Sequence, residues 1–476
     1  MKKSTIIILA VLVSIVGKAQ SFQITLKTPD YKSGLAYLTY HMGKNLNAED
    51  SAVINSKGVA VFTGKRNLPG GIYAIVFPGK SKTFDFFIDK EQVISITADT
   101  TDLVNKVTVV GSKENALFFQ YQKYIASKGD LLEKERKAYN ESKTKADSAL
   151  HEANYAKYNQ DLNKYRQNII ATQPTSMMAV LLQAMKEPEL PSKKSVTHED
   201  SLQNYYYYKN HYWDGITFMD ERVIRTPFFL PKLERYYRDI IVQNPDSIIK
   251  ESDYQLLLAR TCPEMYKFLL NWLTDEYYNP KYMGQDAIFV HLFEKYHSQG
   301  LSTWLTDKQH DAISRQAYMV MSNQIGAQAA NLDMLDTAEN KTSLYDVKAE
   351  YTFVCFWDPN CGHCKETIPR IDSAYRASWK QHGVKIFAVL SEDAKKEWLT
   401  YIHEHNLSDW INVYQPKELE KADIESQKAS FRQLYDVTMT PTLFLLDKDK
   451  RIIAKKLSLE QMDDLLKVKW SIKPTN

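Results

Sequence analysis

The chain has 476 residues, of which 44% are hydrophobic and 25% are charged, and its formal net charge is +3 at pH 7. This length exceeds one ordinary core, so we expect two or three mostly globular domains. Charge of both signs is mixed along the chain, with no basic block interleaved with aromatic residues. Nucleic acid is therefore excluded as the expected main partner.

The first residues are typical of an export signal. Lys2 and Lys3 form a short basic region, Ile6–Val16 is an apolar run, and Gly17–Ala19 offers small residues at the cleavage positions. A membrane anchor is the alternative, but the run is shorter than the roughly 20 apolar residues that a spanning helix needs. We therefore expect residues 1–19 to be a signal peptide. The mature protein is expected to be soluble and exported to the periplasm or cell envelope.

Residues 20–111 are predicted to form an all-β, sandwich-like domain. Turn signals separate short segments rich in β-branched and aromatic residues. These predicted strands are Phe22–Leu26, Leu35–Tyr40, Val59–Thr63, Ile72–Phe77, Thr83–Ile88, Val93–Thr97 and Val107–Val110. Close spacing without intervening helices predicts an antiparallel sandwich. Nothing in this region indicates catalysis, so we interpret it as a packing or docking module.

Residues 112–324 are predicted to form an α-helical domain. Apolar and aromatic residues recur at spacings of three and four within Asn115–Ile170, which predicts a helical hairpin with a solvated outer face. Prolines then divide the chain into shorter helices. The run Tyr205–Tyr208 is a possible ligand platform and Cys262, just before Pro263, a possible redox thiol. Core packing is the more ordinary interpretation of both.

Residues 325–476 are predicted to form a mixed α/β domain with an antiparallel edge. Strands and helices alternate here, and Tyr351–Trp357 is continuously apolar, as in a strand buried on both faces. The predicted strands are Leu332–Leu335, Tyr351–Trp357, Val384–Leu390, Thr442–Leu446 and Arg451–Lys455. The predicted helices are Cys361–Trp379, Lys395–His405, Phe431–Tyr435 and Leu459–Val468.

The cysteines cluster in a way that indicates chemistry. The chain has four, Cys262, Cys355, Cys361 and Cys364, and three of them fall within ten residues, unlike a disulfide-stapled scaffold. Cys361 lies where a predicted strand runs into a predicted helix, and the helix dipole with its free N–H groups lowers the pKa of a thiol there. The thiolate is the species that attacks disulfides. We predict that Cys361 is the exposed attacker and that Cys364, one turn later, is the shielded resolving thiol.

This constellation resembles the thioredoxin superfamily, and most closely its exported, TlpA-like thiol–disulfide oxidoreductases. The resemblance covers about Ile325–Lys469. It rests on Val354-Cys355-Phe356-Trp357, the Cys-x-x-Cys pair, Pro369 in the following helix and Met439-Thr440-Pro441-Thr442. The order of a β-rich domain, a helical middle and a terminal thioredoxin-like domain also resembles a group of bacterial cell-envelope proteins.

The resemblance implies a thioredoxin fold, no cofactor and thiol–disulfide exchange with protein substrates. It implies a cis peptide bond between Thr440 and Pro441, a minority state of X–Pro bonds. It also implies that Trp357, Thr440 and Pro441 contact the substrate. The expected partners are proteins with disulfides or dithiols, and a soluble or membrane-linked thiol partner that exchanges electrons with the pair.

The dipeptide Gly362-His363 between the cysteines is the one found in protein disulfide isomerases, and we predict that it modulates them. A histidine here stabilises the thiolate and raises the potential toward about −180 mV, against roughly −270 mV for thioredoxin. This chain also departs from the family pattern at three positions. Asn360 replaces the usual Trp, Cys355 replaces the buried acid, and Thr367 stands where some membrane-linked reductases have Glu. Proton transfer at the second cysteine therefore lacks its usual partner.

Other chemistries fit the residues less well. A zinc site made of Cys361, His363 and Cys364 would need further ligands, and His403 and His405 are the nearby histidine pair. We expect no metal. The main alternative is a non-enzymatic envelope binding module in which the Cys361–Cys364 disulfide is structural.

A peroxiredoxin would need a threonine three residues before its attacking cysteine, where this chain has Asp358. Thiol–disulfide exchange is therefore the predicted activity, as reductase or isomerase rather than dedicated oxidant. The sequence leaves the direction of exchange open.

Overall fold

The structure is a computed structural model that describes residues 22–80, 82–191 and 196–471. The predicted signal peptide, residues 1–19, lies outside the described residues. The chain divides into two compact units, Met1–Ile241 with Leu258–Tyr266 and Val242–Leu257 with Lys267–Asn476. The domain limits that we placed after residues 111 and 324 stay predictions. Among the described helices, none combines the length and the apolar character needed to cross a membrane.

The first unit opens with two four-stranded sheets, in the orders β4-β1-β7-β8 and β3-β2-β5-β6. Inward-facing side chains from both sheets, such as Ile24, Phe62 and Phe86, share one buried core. This confirms the sandwich-like all-β prediction. The strands are β1 Phe22–Lys27, β2 Leu35–Met42, β3 Asn45–Val53, β4 Val59–Gly64, β5 Gly71–Val76, β6 Thr83–Ile88, β7 Val93–Ala98 and β8 Val107–Val110.

Two details of the predicted sandwich were wrong. The pairing is not wholly antiparallel, because β1 runs parallel to β7, with Gln23 opposite Val93. The sequence also missed β3. That strand is the edge of its sheet and is mostly exposed, so its polar residues carry no clear apolar alternation.

The predicted helical hairpin is confirmed, and helices continue after it. Ser112 and Thr144 cap the two hairpin helices by accepting hydrogen bonds from Asn115 N and Asp147 N. The middle helices are α1 Lys113–Glu141, α2 Lys145–Thr172, α3 Met177–Ala184, α4 His198–His211, α5 Phe229–Arg235, α6 Pro245–Ala259, α7 Pro263–Tyr278, α8 Asp286–Leu292 and α9 Asp307–Met321.

The two sequence features that suggested a further role in this region take part in packing. Tyr205, at the start of the tyrosine run on α4, donates a hydrogen bond to Ile240 O at 3.0 Å. Tyr208 donates one to the Glu187 carboxylate. Cys262 is buried immediately before α7.

His297 is a buried histidine in the second unit. Its Nε2 lies 2.9 Å from Thr274 Oγ1, whose own proton goes to Leu270 O, so Nε2 donates. Ser302 Oγ lies 2.9 Å from Nδ1 and therefore donates to it. Burial and the nearby His310 lower the pKa of His297 to about 4. The neutral ring is thus built into the core.

We expect this histidine to make the second unit acid-sensitive. The pKa of His297 is lower in the folded than in the unfolded protein. Its contribution to the free energy of unfolding is therefore complete above about pH 6.5 and is lost as the pH falls toward the folded pKa. The loss between pH 7 and pH 5 should be about 2 kcal/mol of unfolding free energy. Denaturant unfolding of wild type and His297→Gln at both pH values checks this. The exposed His403→Gln variant should keep the wild-type pH dependence of the unfolding free energy, whereas His297→Gln should lose it. An unchanged pH dependence in His297→Gln would show that His297 is not its cause.

The mixed α/β prediction for the C-terminal part is confirmed. Its sheet has seven strands in the order β10-β9-β13-β12-β11-β14-β15, with β11 to β13 parallel and β14 and β15 antiparallel. The strands are β9 Asp333–Asp336, β10 Lys341–Ser343, β11 Tyr351–Trp357, β12 Val384–Leu390, β13 Ile411–Tyr414, β14 Thr442–Asp447 and β15 Ile452–Lys455. The helices are α10 Gly362–Ala374, α11 Lys395–Glu404, α12 Lys417–Glu425, α13 Phe431–Leu434 and α14 Leu459–Ser471.

Strand β11 is buried on both faces, as its apolar run predicts. Phe353, Cys355 and Trp357 pack into one core, whereas Val354 and Phe356 pack into the other. The strand pairs with β12 on one side and β14 on the other, so its carboxyl end is held at the middle of one sheet edge. The Cys-x-x-Cys segment starts from that end.

Candidate active site

Cys361 stands at the junction between β11 and α10. It is the N-cap of α10, with φ −75° and ψ 126°, and its Sγ accepts a hydrogen bond from Cys364 N at 3.4 Å. Its own N–H donates to Asp358 O at 3.2 Å, which closes the turn between strand and helix. The predicted helix thus begins at Gly362, and Cys361 caps it. This places the Cys361 sulfur where the first-turn N–H groups favour a negative charge.

The loop around Pro441 meets this sulfur. The Thr440–Pro441 peptide bond is cis, which confirms the prediction. The Cys361 thiol donates a hydrogen bond to Thr440 O at 3.3 Å, and Thr442 Oγ1 holds the loop by donating to Met439 O at 2.6 Å. Although Thr440 is far from the cysteine pair in sequence, the fold therefore brings it to the reactive sulfur.

The two thiols differ in exposure and in acidity. Cys361 is half-buried, whereas Cys364 is 1% exposed, and both are free thiols. Burial raises the pKa of Cys361, but hydrogen bonds from the Thr440 side chain and from the Cys364 and His363 backbones outweigh it and lower the pKa below its ordinary value. Burial raises the pKa of Cys364 to about 12. At neutral pH the accessible sulfur is therefore the more nucleophilic one.

We expect Thr440→Ala to raise the pKa of Cys361, because it removes a side chain that favours the thiolate. Alkylation by iodoacetamide requires the thiolate, so its rate at pH 7 should fall about fivefold, the worth of one hydrogen bond. The pH profile of alkylation should shift to higher pH by the same amount. Thr438→Ala changes an exposed threonine of the same loop and should leave the profile in place. An unshifted profile in Thr440→Ala would refute this role.

The residues between the cysteines face solvent. Both Gly362 and His363 are exposed, and His363 lowers the pKa of Cys361 through its backbone N–H. A Cβ added at Gly362 would meet no atom within 4 Å, so packing does not demand glycine there. Any modulation of the pair by the His363 ring stays a prediction.

Trp357 is buried beneath the site, so the structure does not support the prediction that its side chain contacts substrate. Its side chain is 0% exposed and lies in the same core as Cys364, edge-on to Tyr401 with ring centroids 5.2 Å apart. The reason is its place at the end of a strand buried on both faces. Trp357 therefore supports the site from beneath, while Thr440 and Pro441 are partly exposed beside Cys361.

Cys355 occupies the core next to the pair. It is fully buried, and burial followed by the nearby Cys364 raises the pKa of its thiol well above the ordinary value. It therefore stays neutral and is shielded from solvent. Cys355 is thus part of the core packing.

Sequence reasoning missed the part played by Asp358 and by Tyr401. The Asp358 backbone lowers the pKa of Cys364, and the Asp358 carboxylate accepts a hydrogen bond from Asn360 N at 2.9 Å. Tyr401, on α11, reaches the core beneath the cysteine pair. Burial raises the pKa of the Tyr401 hydroxyl, and the nearby Cys364 adds to this shift. A contact between separate helices leaves no pattern in a single sequence.

The metal alternative gains no ligand set from the fold. His403 and His405 are exposed on α11 and just after it. Across residues 22–80, 82–191 and 196–471, no group of three or more His, Cys, Asp or Glu side chains is placed to hold a metal ion.

The two ends of the chain match different families. Residues 325–455 match the AhpC/TSA family. Thiol-disulfide oxidoreductase ResA of Bacillus thuringiensis is 26% identical over 147 residues, which cover 30% of this chain and 78% of that protein. The C-terminal domain is a thioredoxin-like thiol–disulfide oxidoreductase domain. Residues 22–118 match a domain of unknown function, DUF4369.

Two solved structures of bacterial proteins are similar to parts of this chain. A domain of a possible thiol-disulfide isomerase from Cytophaga hutchinsonii is 35% identical and covers 31% of this chain and 92% of that one, with a TM-score of 0.27. A thioredoxin-like protein from Bacteroides caccae is 20% identical and covers 60% of this chain and 98% of that one, with a TM-score of 0.46.

Proposed function

We propose that this protein is an exported enzyme that exchanges disulfides with protein substrates through Cys361 and Cys364, as a reductase or isomerase rather than a dedicated oxidant. One observation carries the proposal. A half-exposed thiol of lowered pKa caps α10 directly beside a buried thiol of raised pKa. The first suits attack on a disulfide, and the second suits a delayed, protected resolving step.

The chemistry follows from this asymmetry. The Cys361 thiolate attacks a substrate sulfur, a mixed disulfide forms, and the other substrate sulfur leaves as a thiolate. Cys364 then loses its proton and attacks Cys361 Sγ, which releases the second substrate thiolate. The substrate gains two electrons and two protons, and the enzyme keeps a Cys361–Cys364 disulfide. A thiol partner must then reduce that disulfide. In isomerisation a different cysteine thiolate of the substrate instead attacks the substrate sulfur of the mixed disulfide, which forms a new substrate disulfide and frees the Cys361 thiolate.

The dipeptide Gly362-His363, which is that of the isomerases, supports a role other than dedicated oxidant. Stabilising the Cys361 thiolate favours the reduced pair and raises its potential toward the isomerase value of about −180 mV, which is still below the roughly −120 mV of a strong oxidant. Export is proposed from the residues ahead of the described chain: a basic start, an apolar run and small residues around Ala19. N-terminal sequencing of the protein from a periplasmic fraction should find Gln20 first; an uncleaved Met1 would contradict export by this signal.

Two assays on the purified wild-type protein test the activity. Reduction of insulin disulfides with dithiothreitol as donor reports reductase activity, and recovery of active ribonuclease from its scrambled form reports isomerase activity. We expect at least one rate to exceed the uncatalysed rate clearly. Background rates in both assays would overturn the proposal.

A further inference from the structure

A cleft of about 280 Å³ opens in the second unit. One wall is the segment 278–284, which connects α7 to α8. The other is the end of β15 with the start of the following connection. Its lining includes Tyr282, Met283, Val320, Lys456, Leu457 and Gln461.

Strand register places the second wall at the same sheet edge as the cysteine pair. Phe356, near the end of β11, lies opposite Thr442 at the start of β14. In turn Phe444 lies opposite Lys455 at the end of β15, and Lys456 N donates to Leu443 O at 2.8 Å. Neighbouring strands lie about 4.8 Å apart, and Lys455 is level with Val354, three residues before the end of β11, so the ends of the two strands are roughly 14 Å apart. The cleft and the cysteine pair therefore share one edge of the sheet.

The helical wall is fixed to this edge by a buried polar cluster. Lys455 Nζ lies 2.5 Å from Asp286 Oδ2 and 2.7 Å from Asn323 Oδ1, and both ionised side chains are less than a tenth exposed. Lys455 N also donates to Met283 Sδ at 3.4 Å. Such a cluster holds one arrangement, because separating its partners would leave a charge buried alone. Tyr282, next to Met283, is consequently held at a set place beside the end of β15.

Exposed apolar side chains mark this surface. Tyr282 is 57% exposed in the cleft, Met283 is 40% exposed, and Met439, directly before Thr440, is 73% exposed. Val320 and Leu457 supply the more buried part of the lining. A partner that covers large apolar groups left in water is stabilised by their burial.

We propose that this cleft binds the extended segment of a protein substrate that flanks its reacting cysteine, with Tyr282 as a specificity-determining residue for apolar side chains there. The inference rests on the proposed function and adds the substrate feature that is recognised. Extended chain advances about 3.3 Å per residue, so the segment reaches the cleft about three to five residues from the cysteine. A small disulfide is too short to reach it.

Tyr282→Ser tests this through two substrates. For a peptide disulfide with leucines three to five residues from its cysteine, kcat/KM should fall about tenfold, as expected for losing the burial of part of one aromatic ring. For 5,5′-dithiobis(2-nitrobenzoate), kcat/KM should stay unchanged. Tyr254→Ser, which removes an equally exposed tyrosine of α6 outside the cleft, should change neither value.

The outcomes separate this inference from the proposed function. Equal rates of wild type and Tyr282→Ser on the peptide, or an equal fall on both substrates, would overturn the cleft assignment. A second measurement uses wild type alone: replacing the peptide leucines by aspartates should lower kcat/KM about tenfold, and no change would also overturn it. A wild-type protein inert toward both substrates would instead refute the proposed exchange activity.

Discussion

Cys361→Ser is expected to abolish disulfide exchange. The serine hydroxyl does not ionise near neutral pH and cannot form a mixed disulfide, so insulin reduction should fall by roughly a thousandfold or more, to the uncatalysed rate. The buried Cys364, with its pKa of about 12, cannot take over the attack. Steady-state insulin reduction, with wild type and variant at equal concentration, checks this.

Cys262→Ser is the matched control, because it removes a buried cysteine of the other unit. It should keep wild-type turnover. Substantial turnover by Cys361→Ser would show that another group attacks the substrate. Equal losses in both serine variants would point to a fold that depends on its thiols rather than to catalysis.

Lys455→Met is expected to cost the second unit about 3–5 kcal/mol of unfolding free energy, the usual result of leaving one partner of a buried ion pair alone. The change strips the buried Asp286 carboxylate of the ammonium group at 2.5 Å and leaves it with the Gln324 side-chain amide at 2.6 Å. Burial lowers the pKa of Lys455, whereas Asp286 raises it. The net shift is downward because the loss of hydration outweighs the ion pair.

Two companion variants make the result specific, with denaturant unfolding as the measurement. Lys295→Met breaks a half-exposed pair with Asp253 and should cost no more than about 1 kcal/mol. Lys455→Met combined with Asp286→Leu should recover most of the lost stability, because no charge is then left buried alone. If Lys455→Met were as mild as Lys295→Met, the pair would not hold the helical wall of the cleft in place.

The sequence predicts well what is local and periodic. The continuous apolar run of β11, the start of α10 at the cysteine motif and the loop at Pro441 are visible in the chain, because each depends on neighbouring residues. Strand β13 was missed because it is short and interrupted by Asn412, whose buried amide donates to Leu407 O at 2.8 Å. The helix α12 was missed as well.

What the sequence could not show depends on contacts between distant segments. The parallel pairing of β1 with β7 has no mark in either strand. Trp357 looked like a surface residue of the site because it borders the motif, but strand burial on both faces places it in the core. Lys455 and Asp286 meet only through the fold, so neither residue signals the cleft from its own neighbourhood.

Trapping the reaction intermediate tests the central claim most directly. In Cys364→Ser the resolving thiol is gone, so incubation with oxidised substrate should accumulate one mixed disulfide per chain. Mass spectrometry of the digested complex, without reduction, should find the substrate cysteine joined to Cys361. A bond to Cys262 or Cys355 in its place, or no covalent complex under conditions where wild type turns over, would contradict attack by Cys361.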